Sequence, residues 1–197
     1  MKKTVDKRVK RTKKAFQCTL LALLKEKCFE DITITEIVKK ADYNRGTFYI
    51  HYEQKEDLLQ EMMDEKLDEL RFAFRKPYQH LTDEVNIREL STTCLFDHFL
   101  INRDFYQTML SSRVSINFQE EMVRSLEKHF KEDIDFTSNH VPNDINLKLF
   151  YHYRVYGIIG LIIEWIRSDF QHSKSYMAEQ VVKIATFHTK KVSIKSN

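Results

Sequence analysis

Glycine and proline are nearly missing from this chain, with 3 and 2 among its 197 residues. Tight hairpin turns depend on those two residue types, so little turn chemistry remains for a sheet protein. Cysteine is also scarce and odd in number, at 3. Cys18, Cys28 and Cys94 lack metal-ligand spacing, and reduced structural thiols are expected rather than a disulfide framework or a metal site. No Gly-rich phosphate loop, H-E-x-x-H or G-x-S-x-G is found, so neither enzymatic activity nor a cofactor is expected. Cys94 and His98 lie four residues apart on one helical face, where a thiol could meet a base or two ligands a metal, but no third member accompanies them. No signal peptide or transmembrane span is expected either. The basic N-terminus is followed by no apolar core, and the run Val155 to Ile163 is interrupted by Glu164. A cytoplasmic protein with no membrane partner is expected.

What the chain does contain is apolar residues, 42% of the total, at helical spacings. The fold class expected is all-α. A length of 197 residues exceeds the roughly 150 of an average domain, which leaves room for one compact module beside a larger body. Charge separates in the same way. Residues 1–55 carry 14 lysines and arginines against 7 acids, a net +7, and the overall +3 therefore leaves −4 for the remainder. A basic head on an acidic body is the electrostatic footprint of phosphate binding. The tail Lys2, Lys3, Lys7, Arg8, Lys10, Arg11, Lys13 and Lys14 is expected to lie along a nucleic-acid backbone or reach a minor groove, with a merely solubilising terminus as the plainer alternative.

The segment from Thr33 to Leu59 carries the most information. Thr33 can cap a helix whose apolar face is Ile34, Ile37, Val38 and Ala41. Asp42-Tyr43-Asn44 then breaks the pattern. Asp tolerates the left-handed conformation of a sharp turn, and Asn44 suits the N-cap of the next helix. That second helix is expected over Arg45 to Tyr52, with Phe48 and Tyr52 facing inward and Arg45, Gly46, Thr47 and Tyr49 facing out. Upstream, Val9 to Lys27 places Ala15, Phe16, Thr19, Leu20, Leu23 and Leu24 on one stripe, the first helix of a three-helix domain. Downstream, Lys55 to Arg75 continues as a helix to Pro77.

These residues resemble the DNA-binding domain of the TetR family, whose pattern T-x-x-x-I-x-x-x-A-G-V-S-x-G-T-x-Y-x-H-F-x-x-K-x-x-L is met at Thr33, Ile37, Ala41, Gly46, Thr47, Tyr49, His51, Lys55 and Leu58. The chain departs from it at Asp42, Tyr43, Asn44 and Tyr52, all physically mild changes. The resemblance covers roughly residues 7–60. It implies a helix-turn-helix domain over residues 1–54 with a basic N-terminal arm, joined to a helical effector-binding and dimerisation domain over 55–197. Arg45 is then expected to contact guanine bidentately and Thr47 to offer its methyl to thymine, while Tyr49, His51 and Lys55 hold phosphates. Thr33 would place a helix N-terminus against a phosphate, and Asn44 is counted with the DNA-binding residues. For Tyr49 and His51 the alternative is packing within the small domain.

Further helices are expected at Ile87 to Ile101, Phe105 to Ser111, Asn117 to Asp133, Ile145 to Asp169 and Tyr176 to Val192, with a break around Phe136 to Asn143. The stretch GIIGLIIEWI makes this part similar to a C-terminal subgroup of Gram-positive TetR-like regulators that includes regulators of dihydroxyacetone kinase genes. An effector pocket is expected among Cys94, His98, Tyr106, Met109, Phe118, Met122, Tyr151, Arg154 and Trp165, each of which is otherwise ordinary core. The helix from Ile145 is apolar nearly all round, so two surfaces must cover it. Gly157 and Gly160 permit close approach, Leu161 and Trp165 add contact area, and the resemblance implies a homodimer interface there, with an ordinary intrachain core as the alternative.

The sequence thus points to a homodimeric regulator that binds a palindromic double-stranded DNA operator and is released by a small-molecule effector. An effector-responsive coactivator, acting through a protein partner with weak DNA binding of its own, is the alternative. The intact Arg45-Gly46-Thr47 and Lys55 argue against it.

Overall fold

The computed structural model of the chain describes residues 2–78, 93–114, 117–133 and 144–187. Among the described residues there is no strand, and the fold is all-α. Helix α1 spans Lys2–Leu24. It begins seven residues before the expected start at Val9, so the basic tail forms the first turns of a helix rather than an extended arm. Lys7, Arg8, Lys10, Arg11 and Lys14 are exposed along it. Phe16, Leu20 and Leu24 are buried at i, i+4 spacing on its inner face.

A 3-10 turn at Phe29–Asp31 leads to α2, Ile34–Lys40, and α3, Arg45–Tyr49. The second of these is shorter than the expected Arg45 to Tyr52. After Tyr49 the chain tightens, with the His51 amide donating to the Phe48 carbonyl at 2.9 Å, and Tyr52 still returns to the core. Helix α4 runs over Lys55–Arg75, as expected from the sequence. The remaining helices are α5, Thr93–Ile101; α6, Arg103–Met109; α7, Phe118–Asp133; α8, Leu147–Arg167; and α9, Lys174–Thr186. The expected start at Ile87, the break at 136–143 and the end at Val192 lie outside the described residues.

The chain divides into two compact units. The first comprises Met1–Arg71 with Asn102–Leu126, the second Phe72–Ile101 with Glu127–Asn197. The core of the first is built around Phe16, whose ring meets Tyr43, Phe48 and Tyr52 edge-on at centroid distances of 5.2, 5.4 and 6.5 Å. Ile37, Leu58, Leu59 and Met63 close it. Helix α6 packs on α1 in the same unit. Two exchanges tie the loop after α6 to the corner after α1. The Phe29 amide donates to the Arg113 carbonyl at 3.0 Å, and the Arg113 guanidinium donates to the Lys25 carbonyl. Lys25 also pairs with Asp104 at 2.6 Å.

In the second unit α9 packs against α5 and α8. Its largest buried side chain is Trp165, 2% exposed, with Phe96 and Phe170 edge-on at 5.3 and 4.8 Å and its indole N–H donating to the His172 carbonyl at 2.8 Å. Asp169 and Phe170, at φ 55° and 58°, turn the chain back and carry the Phe170 ring onto the indole. Trp165 was expected at a dimer interface, but it belongs to the core of its own chain. Helix α8 is nevertheless only half covered. Leu149, Tyr153, Tyr156, Gly157 and Gly160 form an exposed stripe at i, i+3 and i+4 spacing, and Leu161 is partly exposed. A Cβ added at either glycine would meet nothing within 4 Å.

Candidate nucleic-acid interface

Helices α2 and α3 are held in place by local hydrogen bonds that their sequence specifies. Thr33 caps α2 in a reciprocal box: its hydroxyl accepts the Glu36 amide at 3.2 Å, and the Glu36 carboxylate accepts the Thr33 amide at 2.9 Å. Lys27 reaches the same carboxylate at 2.5 Å. The hydrogen bond from Lys27, followed by those from Thr33, lowers the Glu36 pKa to about 2. The far end of α2 closes in a Schellman turn, with the Tyr43 amide donating to the Val38 carbonyl at 2.9 Å and the Asp42 amide to the Lys39 carbonyl at 3.3 Å. Asp42 takes φ 59°, the left-handed conformation its position demands.

Asn44 then caps α3. Its side-chain oxygen accepts the Thr47 amide at 2.7 Å and the Thr47 hydroxyl at 3.0 Å. A Cβ at Gly46 would come within 3.3 Å of that oxygen, so glycine keeps the cap uncrowded. Phe48 and Tyr52 point inward and are buried. At 100° per residue, the direction opposite them belongs to Gly46 and Ile50, flanked by Thr47 on one side and by Arg45 and Tyr49 on the other. Ile50 is 76% exposed and Tyr49 50%. The Arg45 guanidinium approaches the Tyr49 hydroxyl at 3.4 Å. This face offers a forked cation, a methyl, a phenol and an aliphatic side chain, the donors and apolar groups that read base edges. Ile50 occupies no position of the motif, although the helical period alone places it on this side.

Behind this surface a polar seam joins α1 to α4. Lys13 pairs with Glu61 at 2.5 Å, Gln17 donates to Glu65 at 3.0 Å, and the Tyr52 hydroxyl donates to Glu61. Burial works to raise the Glu61 pKa, but the hydrogen bonds from Lys13 and Tyr52 outweigh it and hold the carboxyl below its ordinary range. Burial, followed by the hydrogen bond to Glu61, pushes the Tyr52 hydroxyl up. His51 is half-buried against Tyr52.

The expected site residues therefore fall into groups. Arg45, Gly46, Thr47 and Tyr49 share the outward side of α3. Thr33 and Asn44 are occupied as helix caps. Lys55 donates to the carbonyls of Phe29, Glu30 and Ile32 at 2.7, 3.0 and 2.7 Å. The expected effector residues are divided between the units. Tyr106, Met109, Phe118 and Met122 are buried in the first, with Phe118 edge-on to Phe105 and tilted against Tyr106 at centroid distances of 5.5 and 5.9 Å. Cys94, His98, Tyr151 and Arg154 belong to the second. There His98 is buried beside Phe99, and the Arg154 guanidinium lies 4.9 Å over the Phe150 ring and donates to the Ala185 carbonyl. Burial lowers the Arg154 pKa. No helix among the described residues is long and apolar enough to cross a membrane.

Two family models match this chain. Residues 19–62 match the model for bacterial regulatory proteins of the tetR family, and residues 89–187 match a transcriptional regulator C-terminal region of the same family. The HTH-type transcriptional regulator YxbF of Bacillus subtilis, itself uncharacterised, is 24% identical over 169 residues, covering 85% of this chain. The chain spans only 43% of that relative's length. Among solved structures, a TetR transcriptional regulator from Streptococcus agalactiae aligns with TM-score 0.65 at 22% identity, covering 94% of this chain and 99% of the other. The dihydroxyacetone kinase operon activator DhaS aligns with TM-score 0.59 at 19% identity, covering 88% and 93%. At these identities the structural likeness speaks for the fold.

Proposed function

The chain belongs to the TetR family of bacterial transcriptional regulators, which bind DNA, and from that membership we propose a homodimeric repressor released from a palindromic operator by a small-molecule effector. We assign residues 1–54 to DNA binding and 55–197 to effector binding and dimerisation. The observation that carries the reading is the outward side of α3, where Arg45, Thr47, Tyr49 and Ile50 surround Gly46 opposite a fully buried Phe48. Arg45 suits a guanine edge. The Thr47 hydroxyl is tied to its cap, which leaves its methyl for thymine, and Ile50 extends that apolar contact. Tyr49 and His51 would hold phosphates, with the exposed basic residues of α1 adding sequence-independent attraction.

One helix of five residues reads few base pairs, so a second copy related by a two-fold axis is part of the proposal. The exposed stripe of Leu149, Tyr153, Tyr156, Gly157 and Gly160 on α8 supports it, because glycines flanked by aromatic side chains suit a helix packed close against its own copy. For an effector to release DNA it must bind the two states with different affinity. Cys94, His98, Tyr151 and Arg154 are our candidates within the second unit; Tyr106, Met109, Phe118 and Met122 form a separate candidate group within the first.

The test is binding of the purified protein to its own upstream intergenic DNA across a salt series, with random duplex of equal length as competitor. Selective, salt-sensitive binding at two chains per site is the expected outcome. Equal binding to both duplexes would sink the operator reading and favour a coactivator that works through a protein partner. A reporter fused to that promoter gives the sign: expression should rise when the gene is deleted, and a fall would mean activation.

A further inference from the structure

We propose that Lys55 is a positioning residue for DNA recognition: its ammonium clamps together the two ends of the segment that carries the reading helix, and it is not a phosphate ligand. The proposal rests on the reading of α3 as the DNA-contacting helix. It replaces the phosphate role that the motif suggested for Lys55.

An ammonium group has three donors and no acceptor. At Lys55 three carbonyls accept from it, those of Phe29 and Ile32 at 2.7 Å and of Glu30 at 3.0 Å. All three acceptors lie in or just after one 3-10 turn, and the Phe29 carbonyl also accepts the Ile32 amide at 3.1 Å. The same nitrogen lies 4.6 Å from the centroid of the buried Phe29 ring, a cation–π contact on its remaining side. A phosphate oxygen could be bound only by removing one of these bonds.

The location gives the clamp its purpose. Ile32 immediately precedes the Thr33 cap of α2, and Lys55 is the first residue of α4. Everything between them, residues 33–54, consists of α2, the turn, α3 and the return to α4. The Lys55 ammonium therefore closes this segment at its base and limits how far α2 and α3 can rock as a pair. The closure is anchored on its other side too, since the Phe29 amide is held by the Arg113 carbonyl at 3.0 Å. Lys27, two residues before Phe29, bonds the capping carboxylate of Glu36 at 2.5 Å, so the corner grips α2 directly. A reading helix that must meet base edges to within a few tenths of an ångström needs such a base; a helix that merely attracts phosphates does not.

Three measurements decide it. For Lys55→Met, operator affinity should fall at least ten-fold, binding to random duplex should change little, and the slope of log K against log salt should match the wild type. A phosphate ligand would instead lower both affinities equally and reduce the slope by about 1. Lys55→Arg keeps the charge but substitutes a planar fork for a tripod, so it should restore little of the selectivity; full rescue would overturn the proposal. The third measurement uses the unaltered protein and does not depend on how the variants fold. In DNA-free protein labelled with ¹⁵N-lysine, one ammonium should exchange its protons far more slowly than the others and keep its shift when operator is added. An ammonium averaged like the rest, or one that moves on DNA binding, would sink the clamp. If wild type shows no operator selectivity, the functional reading fails, and the ammonium signal still reports whether the clamp exists.

Discussion

Helices α3 and α8 both leave one side uncovered by their own chain, yet the two sides have different chemistry. On α3 the open side mixes a guanidinium, a phenol, a threonine methyl and an isoleucine around one glycine, and the helix is capped at Asn44 and anchored by Phe48. On α8 it is aliphatic and aromatic around two glycines, and the opposite side is filled by Val155, Ile159, Ile162 and Ile166. Exposure alone would class both as unpartnered surfaces. The side-chain inventory separates them: one set matches the donors and acceptors of base edges, the other matches a second helix.

The comparison can be broken most severely from inside. Replacing Phe48 by Ala removes the ring that anchors α3 on Phe16 and should destabilise the first unit by about 3–5 kcal/mol, read as a lower thermal midpoint together with lost operator binding. On the α8 side, Tyr153→Ala should raise the dimer dissociation constant roughly 30-fold, about 2 kcal/mol, in sedimentation equilibrium, with helix content unchanged. An unaltered dissociation constant would remove this face from the interface.

Finer changes sharpen the assignment on α3. Arg45→Ala should weaken operator binding by about 1–3 kcal/mol and relax preference at a single G·C pair in a randomised-site selection. Ile50→Ala should have a smaller effect, about 1 kcal/mol, expressed as lost discrimination at a neighbouring T·A pair; unchanged selectivity would leave Ile50 as mere exposed surface. The smallest effect concerns acid. Because the folded-state pKa of Glu36 is lowered from 4.5 to about 2, its contribution is complete above about pH 4.5 and fades as pH falls toward 2. Thermal unfolding of Glu36→Gln should therefore show a shallower loss of stability over that window, with the two proteins converging at its acid end.

The turn between α2 and α3 was legible from sequence down to single residues. Thr33 and Asn44 cap as expected and Asp42 takes the left-handed conformation, because caps and turns are dictated by side chains within three or four residues. Contacts distant in sequence were not legible. Lys55 matched a motif position, but its three acceptors lie 23 to 26 residues away and carry no side-chain signature, since they are backbone carbonyls. Trp165 illustrates the same limit: apolar periodicity placed it on a helix that had to be covered, and tertiary contacts with Phe96 and, through the left-handed turn at Asp169 and Phe170, with the Phe170 ring decide that its own chain covers it. The effector candidates depended on tertiary packing throughout, and the structure divides them between two units.

The exchange between Phe29 and Arg113 bears on how this protein can be taken apart and reused. A DNA-binding head cut after its family-model boundary at residue 62 would leave behind the loop that accepts the Phe29 amide, the guanidinium that grips the Lys25 carbonyl and the carboxylate of Asp104. Such a fragment would expose the very corner on which its reading helix is hung. A chimera that grafts the residues proposed to read DNA onto another helical body should therefore carry residues 102–126 along with the first 71, with crossover points within helices α4 and α7 rather than at the 54/55 boundary that the motif suggests.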